Sequence, residues 1–393
     1  MKKSDGMPYR GADDLLRQAV RLGMLGLVMA GLLAVAGCGF ETDDHLSYAP
    51  MVLDDWEVST PEAEGLDPDL VLSTYQKANN LSTLYSLLIV KNNRLVAEKY
   101  FNGADVTTAN STASVTKSIV SSLTGIALSE RLLADVDQKL MAFFPEVDWP
   151  NLDPRKSQIS IRQVLQMRSG FPWEDYTGYL ELLRSSSNWI PLIEEIPLFN
   201  DPGTEFGYSN FTAHLMGIAV ARAANTDLRS FAQTHLFDAL DCEIGYWPAD
   251  ASGYYYGSGD LSLTPRNMAK YGSLYLNSGG YNGLQIIPPE WVSASLAPSS
   301  FNVYGPWVPS VGGKIFPHFD VLDYGYLWWS SKAGSHPVTF AWGQGGQFIV
   351  LVPDLRMLVV TSAYHFPGES GDLPWQKTKA IMELVGGFIE SIE

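Results

Sequence analysis

The chain has 393 residues, 46% of them hydrophobic and only 18% charged, so a disordered polymer is excluded and one large core or two sub-domains is expected. The formal charge of −17 supplies no basic footprint, which excludes nucleic acid as a partner.

In chain order, Lys2, Lys3, Arg10, Arg17 and Arg21 form a positive leader, followed by an apolar run from Leu22 to Gly37 and then Val35-Ala36-Gly37-Cys38. A basic start, a short Gly-broken apolar stretch and small residues before a cleavage point read as an export signal over residues 1–37. The run is too short for a comfortable membrane span. Small residues leading directly into Cys38 resemble a bacterial lipobox, which implies lipidation at Cys38 and membrane anchoring on the periplasmic or extracellular side. Processing there would leave Cys242 as the single thiol, so no internal disulfide is expected. Residues 38–54 are polar and patternless and read as a tether, with the folded domain over 55–393.

Pro68-Asp-Leu-Val-Leu-Ser-Thr-Tyr reads as a capped helix start. Leu84 to Val90, the turn Lys91-Asn92-Asn93-Arg94 and Leu95 to Tyr100 predict a β-hairpin. A helical insert over about 101–300 follows, with helices predicted from Ser114 to Arg131, from Ile161 to Met167 and from Phe211 to Ala224. Strands return at Tyr326–Ser330, Thr339–Trp342, Gln347–Val352 and Met357–Tyr364, with Pro353-Asp354 as a turn, and Lys377 to Ile392 closes as a helix. Two β blocks at opposite ends of one chain predict an α/β (α+β) fold. Its antiparallel sheet is flanked by the N- and C-terminal helices, and an all-α sub-domain stands beside it. The junction of sheet and helices is where a pocket is expected.

Three motifs carry chemistry. Ser114-Val115-Thr116-Lys117 opens a helix and places Ser114 and Lys117 three residues apart on one face. A desolvated, neutral lysine can take the serine proton. Tyr208-Ser209-Asn210 sits in a Gly/Pro-rich loop before a helix. There the phenol, depressed by a nearby ammonium, can shuttle a proton, and Asn210 can orient Lys117 or a substrate carbonyl. Ala341-Trp342-Gly343-Gln344-Gly345-Gly346-Gln347 enters a strand whose glycines admit close approach of a ligand, and a strand N–H with that of Ser114 would form an oxyanion hole. Singly, each motif is weak: about one Ser-x-x-Lys is expected by chance in a chain this long, and an Asn cap or a Gly bulge is ordinary.

Together, in this order, the motifs resemble the superfamily of serine β-lactamases, DD-peptidases and related esterases and amidases, in its class C-like branch with carboxylesterases and 6-aminohexanoate-oligomer hydrolases. The resemblance covers nearly all of the chain after about Asp55. It implies a β-lactamase/transpeptidase-like fold and a serine hydrolase working through an acyl-enzyme without a cofactor. Ser114 would be nucleophile, Lys117 and Tyr208 the coupled base, the N–H groups of Ser114 and Gln344 the oxyanion hole, and Asn210, Tyr176, Trp342 and Gly343 substrate-binding residues. The family's third motif begins with Lys or His where this chain has Ala341. Loss of that carboxylate-binding cation favours a neutral ester or linear amide of a small molecule or short oligomer over β-lactams and cell-wall peptides. The six histidines show no ligand spacing, so no metal site is expected. No Gly-x-Ser-x-Gly elbow of an α/β-hydrolase is present either. The rival from another class is a ligand-binding lipoprotein on the same fold without turnover, which has no physical need for Ser114, Lys117 and Tyr208 together.

Overall fold

The computed structural model describes residues 46–393 apart from Gly368, Ser370 and Gly371. The expected signal segment and Cys38 lie outside the described residues. Among these, no helix is long and apolar enough to cross a membrane.

Helix α1 (Pro68–Ala78) starts where Asp67 accepts from the Asp69 N–H, at 2.9 Å, with Pro68 in the first turn. The predicted hairpin forms from β1 (Leu84–Lys91) and β2 (Arg94–Tyr100). Asn92 and Asn93 both take positive φ, 53° and 64°, as a two-residue turn matched to strand twist requires. Helix α2 (Val115–Ser129) and helix α3 (Asn210–Ala224) fall as expected, and the chain between them is mostly loop with short helical turns set along it.

The late strands are β3 (Asp323–Tyr324), β4 (Trp329–Ala333), β5 (His336–Gly343), β6 (Gln347–Val352) and β7 (Met357–Ala363). These seven strands form one antiparallel sheet in the order β2-β1-β7-β6-β5-β4-β3, and two small two-stranded ribbons, Asn110–Ser111 with Ser262–Leu263 and Gly280–Tyr281 with Leu284–Gln285, lie outside it. The two chain ends meet at β1 and β7, with Leu87 opposite Thr361 and Ile89 opposite Val359. Every residue of β6 and β7 is buried, which explains why they read as continuous apolar runs rather than alternating ones.

Three expectations need correction. The predicted strand over Tyr326–Ser330 starts later, at Trp329. Leu327 takes a φ of 60° and donates its N–H to Leu165, so this stretch ties the sheet to the helical region instead of pairing. The helical insert is not set apart from the sheet: helix α4 (Pro265–Leu276) lies across β7, β6 and β1. There Gly272 lets the helix sit low, since a Cβ would meet Ile349 Cγ2 at 2.6 Å. Finally, residues 46–54 do not form a free tether. Tyr48 stacks on Tyr75 with ring centroids 5.2 Å apart, and its carbonyl accepts from the Glu98 N–H of edge strand β2 at 2.8 Å. A polar, patternless segment can still cover a sheet edge through its backbone. Helix α5 (Asp372–Glu390), begun five residues before the expected start, packs with α1 against the sheet.

Candidate active site

Ser114 is the N-cap residue of α2, yet its side chain makes no capping hydrogen bond, so the hydroxyl is free for other work. Ala113 before it is held at a φ of 46°, a left-handed turn that a non-glycine residue rarely adopts, and the chain turns there into the helix. One helical turn on, the Lys117 Nζ stands 2.9 Å from Ser114 Oγ, 2.8 Å from Asn210 Oδ1 and 2.5 Å from the Ser258 carbonyl. Lys117 is 1% exposed, and burial brings its amine down to about 8. The negative charges of Glu174, Asp175 and Asp260 oppose that fall. Two of the three partners are oxygens that only accept. A neutral amine has two N–H groups for them, and its lone pair is left for the serine.

Tyr208 lies against the same group, its ring centroid 4.9 Å from Lys117 Nζ. The ammonium faces the ring rather than the hydroxyl, and the expected depression of the phenol is not found. Burial pushes Tyr208 up, with Asp175 and Glu174 adding to the rise, against the Ser114 hydroxyl that pulls it down. Tyr208 is therefore a protonated phenol at neutral pH.

Ser114, Tyr208 and Asn210 open onto a cavity of about 630 Å³. Tyr176, Trp342 and Gln344 line it too. Gly343 does not line it. It packs against the loop before Ser114, where a Cβ would come within 2.2 Å of the Thr112 carbonyl. Ala341 is fully buried away from the cavity, so the position of the family cation contributes no charge. Among the described residues, neither the Ser114 nor the Gln344 backbone N–H donates to a protein carbonyl.

Several lining residues escaped the sequence reading. Trp173, Tyr304, Trp329 and Trp375 give the cavity aromatic walls, and the exposed Tyr176 ring stacks on Trp307 at 4.5 Å. Glu174 is a fully buried carboxylate beside the Tyr208-Ser209-Asn210 motif. Its sequence signal was slight, one of two adjacent acids between Trp173 and Tyr176. The Ser258 carbonyl carries no side-chain signature and could not be found from residue types. Among the described residues, the lining acids are Glu174, Asp175 and Glu181, and the one lining cation, Arg184, is bound to Glu181 at 2.8 Å.

A β-lactamase family model matches residues 83–379, and the chain belongs to that family. It is 24% identical over 230 residues to the 6-aminohexanoate-dimer hydrolase of Paenarthrobacter ureafaciens, a match that covers 55% of this chain and 57% of that protein. The chain thus aligns with little more than half of this curated relative's length. A Bacillus anthracis structure provisionally assigned as a 6-aminohexanoate-dimer hydrolase superposes with a TM-score of 0.62 at 18% identity, covering 89% of both chains. EstCE1, described as a hydrolase with promiscuous acyltransferase activity, superposes with a TM-score of 0.59 at 16% identity over 80% of this chain and 98% of its own. These structural likenesses establish the β-lactamase/transpeptidase-like fold.

Proposed function

We propose that this protein is an esterase- or amidase-type serine hydrolase that acts through a Ser114 acyl-enzyme on a neutral ester or amide of a small molecule or short oligomer. The observation that carries the reading is the Lys117 amine, buried, 2.9 Å from Ser114 Oγ and otherwise surrounded by acceptors. The neutral amine takes the hydroxyl proton as Oγ bonds to the substrate carbonyl carbon. The N–H groups of Ser114 and Gln344 hold the resulting oxyanion. The Lys117 ammonium then returns the proton to the departing alcohol or amine as the carbon–heteroatom bond breaks, and the Tyr208 hydroxyl, beside Ser114, hydrogen-bonds the leaving atom. Water attacks the acyl-enzyme by the same route in reverse. Asn210, Tyr176 and Trp342 position the substrate.

The choice of a neutral substrate is supported by the acidic, aromatic lining, in which Trp342 rather than a cation faces the cavity and, among the described residues, an anionic carboxylate meets no free partner. The relatives' names, a 6-aminohexanoate-dimer hydrolase and a hydrolase with acyltransferase activity, point to the same bond classes.

Labelling of Ser114 by a fluorophosphonate tests the acyl-enzyme, with expected loss in Ser114→Ala. Failure of the wild type to label at any pH would favour the non-catalytic binding reading. A p-nitrophenyl short-chain ester, a linear amide oligomer and a chromogenic cephalosporin then separate the substrate classes. Rapid cephalosporin turnover would overturn the inference from Ala341.

A further inference from the structure

The N-terminus of α3 is buried: Ser209, Phe211 and Thr212 are 0% exposed. Water does not reach its first N–H groups, so each needs a protein acceptor. Ser209 Oγ accepts from the Thr212 N–H at 3.1 Å, as an ordinary cap does. The other two are taken by a carboxylate from outside the helix. Glu174 Oε2 accepts from the Asn210 N–H at 3.0 Å, and Oε1 accepts from the Phe211 N–H at 3.1 Å and from the Ser209 hydroxyl at 2.7 Å. Four donors are thus satisfied by one carboxylate and one hydroxyl, and the chain of contacts continues from Asn210 through Lys117 to Ser114.

From this geometry we infer that Glu174 is the positioning residue of the reactive centre: by closing the start of α3 it fixes Asn210 and Tyr208 against Lys117. The inference rests on the reading of Ser114 as nucleophile. The charged and titratable groups around Lys117 are Glu174 and Asp175 from the short helix Glu174–Thr177, Asp260 from the segment after Ser258, and Tyr208 before α3. Glu174 is the first of the three carboxylates in its effect on Lys117, and burial pushes its own carboxyl up to about 7. Loss of activity on the acid side therefore has two sources, protonation of Lys117 and protonation of the carboxyl that holds α3, which titrate as a coupled pair.

Glu174→Gln separates positioning from mere packing. The amide keeps the volume and one acceptor but turns an N–H₂ toward the Asn210 N–H, donor against donor, and removes the negative charge. The rate of Ser114 labelling by a fluorophosphonate and the turnover of a p-nitrophenyl ester are measured against pH on the full chain. At its plateau Glu174→Gln should be slower by roughly 10- to 100-fold in kcat, the loss that misplacement of a reacting group brings, with KM little changed. Its acid limb should also lie at lower pH and be less steep, because the charge favouring protonated Lys117 is gone. Asp175→Asn removes a neighbouring charge without touching α3, so it should move the limb the same way.

Wild-type labelling with an unaltered plateau and limb in Glu174→Gln would overturn the inference and leave the proposed function standing. Absence of labelling in the wild type would instead remove the function itself. If Glu174→Gln does not fold, Ser209→Ala takes its place: it removes one of the three contacts to the carboxylate and keeps the charge. Labelling should then slow by a few-fold and the limb should move to higher pH, since the Ser209 hydroxyl holds the Glu174 carboxyl down, and an unchanged rate would refute the inference.

Discussion

At the scale of single residues, the centre depends on a buried lysine that is deprotonated far more easily than a solvated one. The ester kcat/KM is expected to rise with pH through about 8, where Lys117 loses its proton, and a pH–rate profile checks this. Lys117→Met should abolish Ser114 labelling, since the replacement has no lone pair for the proton. The same substitution reads out the burial directly. The Lys117 amine titrates near 8 when folded and near 10.5 when solvated, so between those values the unfolded chain binds the extra proton and wild-type stability rises with pH. The difference in unfolding free energy between wild type and Lys117→Met should therefore move in favour of wild type across that window, by on the order of 3 kcal/mol. Denaturant titrations at pH 7.5 and 10.5, expressed as a difference so that other groups cancel, measure it. A difference that does not change with pH would mean that Lys117 is already solvated and unsuited to act as base.

At the scale of elements, the position of β5 against the turn before α2 decides whether the Gln344 N–H reaches the centre. Gly343 is where the two meet, and its missing Cβ leaves room for the Thr112 carbonyl. Gly343→Ala should push strand and turn apart and lower kcat, by up to about 100- to 1,000-fold if the oxyanion donor is lost. Ester kinetics set beside a thermal melt would show whether activity falls further than stability. A second junction lies at the other end of the sheet. Arg266 of α4 is 2% exposed and holds Glu98 of β2 through contacts of 2.8 and 2.6 Å, as well as the Met51 carbonyl at 2.7 Å. Arg266→Met leaves a buried carboxylate without its partner and should destabilise by about 3–5 kcal/mol, whereas the double variant with Glu98→Leu should recover most of that loss. Urea denaturation of both variants tests the pair.

For the whole molecule, we propose export and anchoring through Cys38. Palmitate should label the wild type and not Cys38→Ser, and the variant should leave the membrane fraction.

Much of this protein was legible from local pattern. The hairpin, α2, α3, the late strands and the three motifs come from short-range rules: turn residues with positive φ, apolar periodicity, and residues i and i+3 sharing a helix face. The Ser114–Lys117 contact is of this kind, a property of four consecutive residues on a helix. The sequence by itself determined those elements and which side chains could react. Tertiary structure alone decided that Glu174 would close α3, that the Ser258 carbonyl would hold Lys117, that Tyr208 would be pushed up rather than down, and that residues 46–54 would dock. Each of these depends on burial and on partners far apart in the chain. The charge state of a side chain is set by the solvent it loses and the neighbours it gains, and neither is written in its own segment.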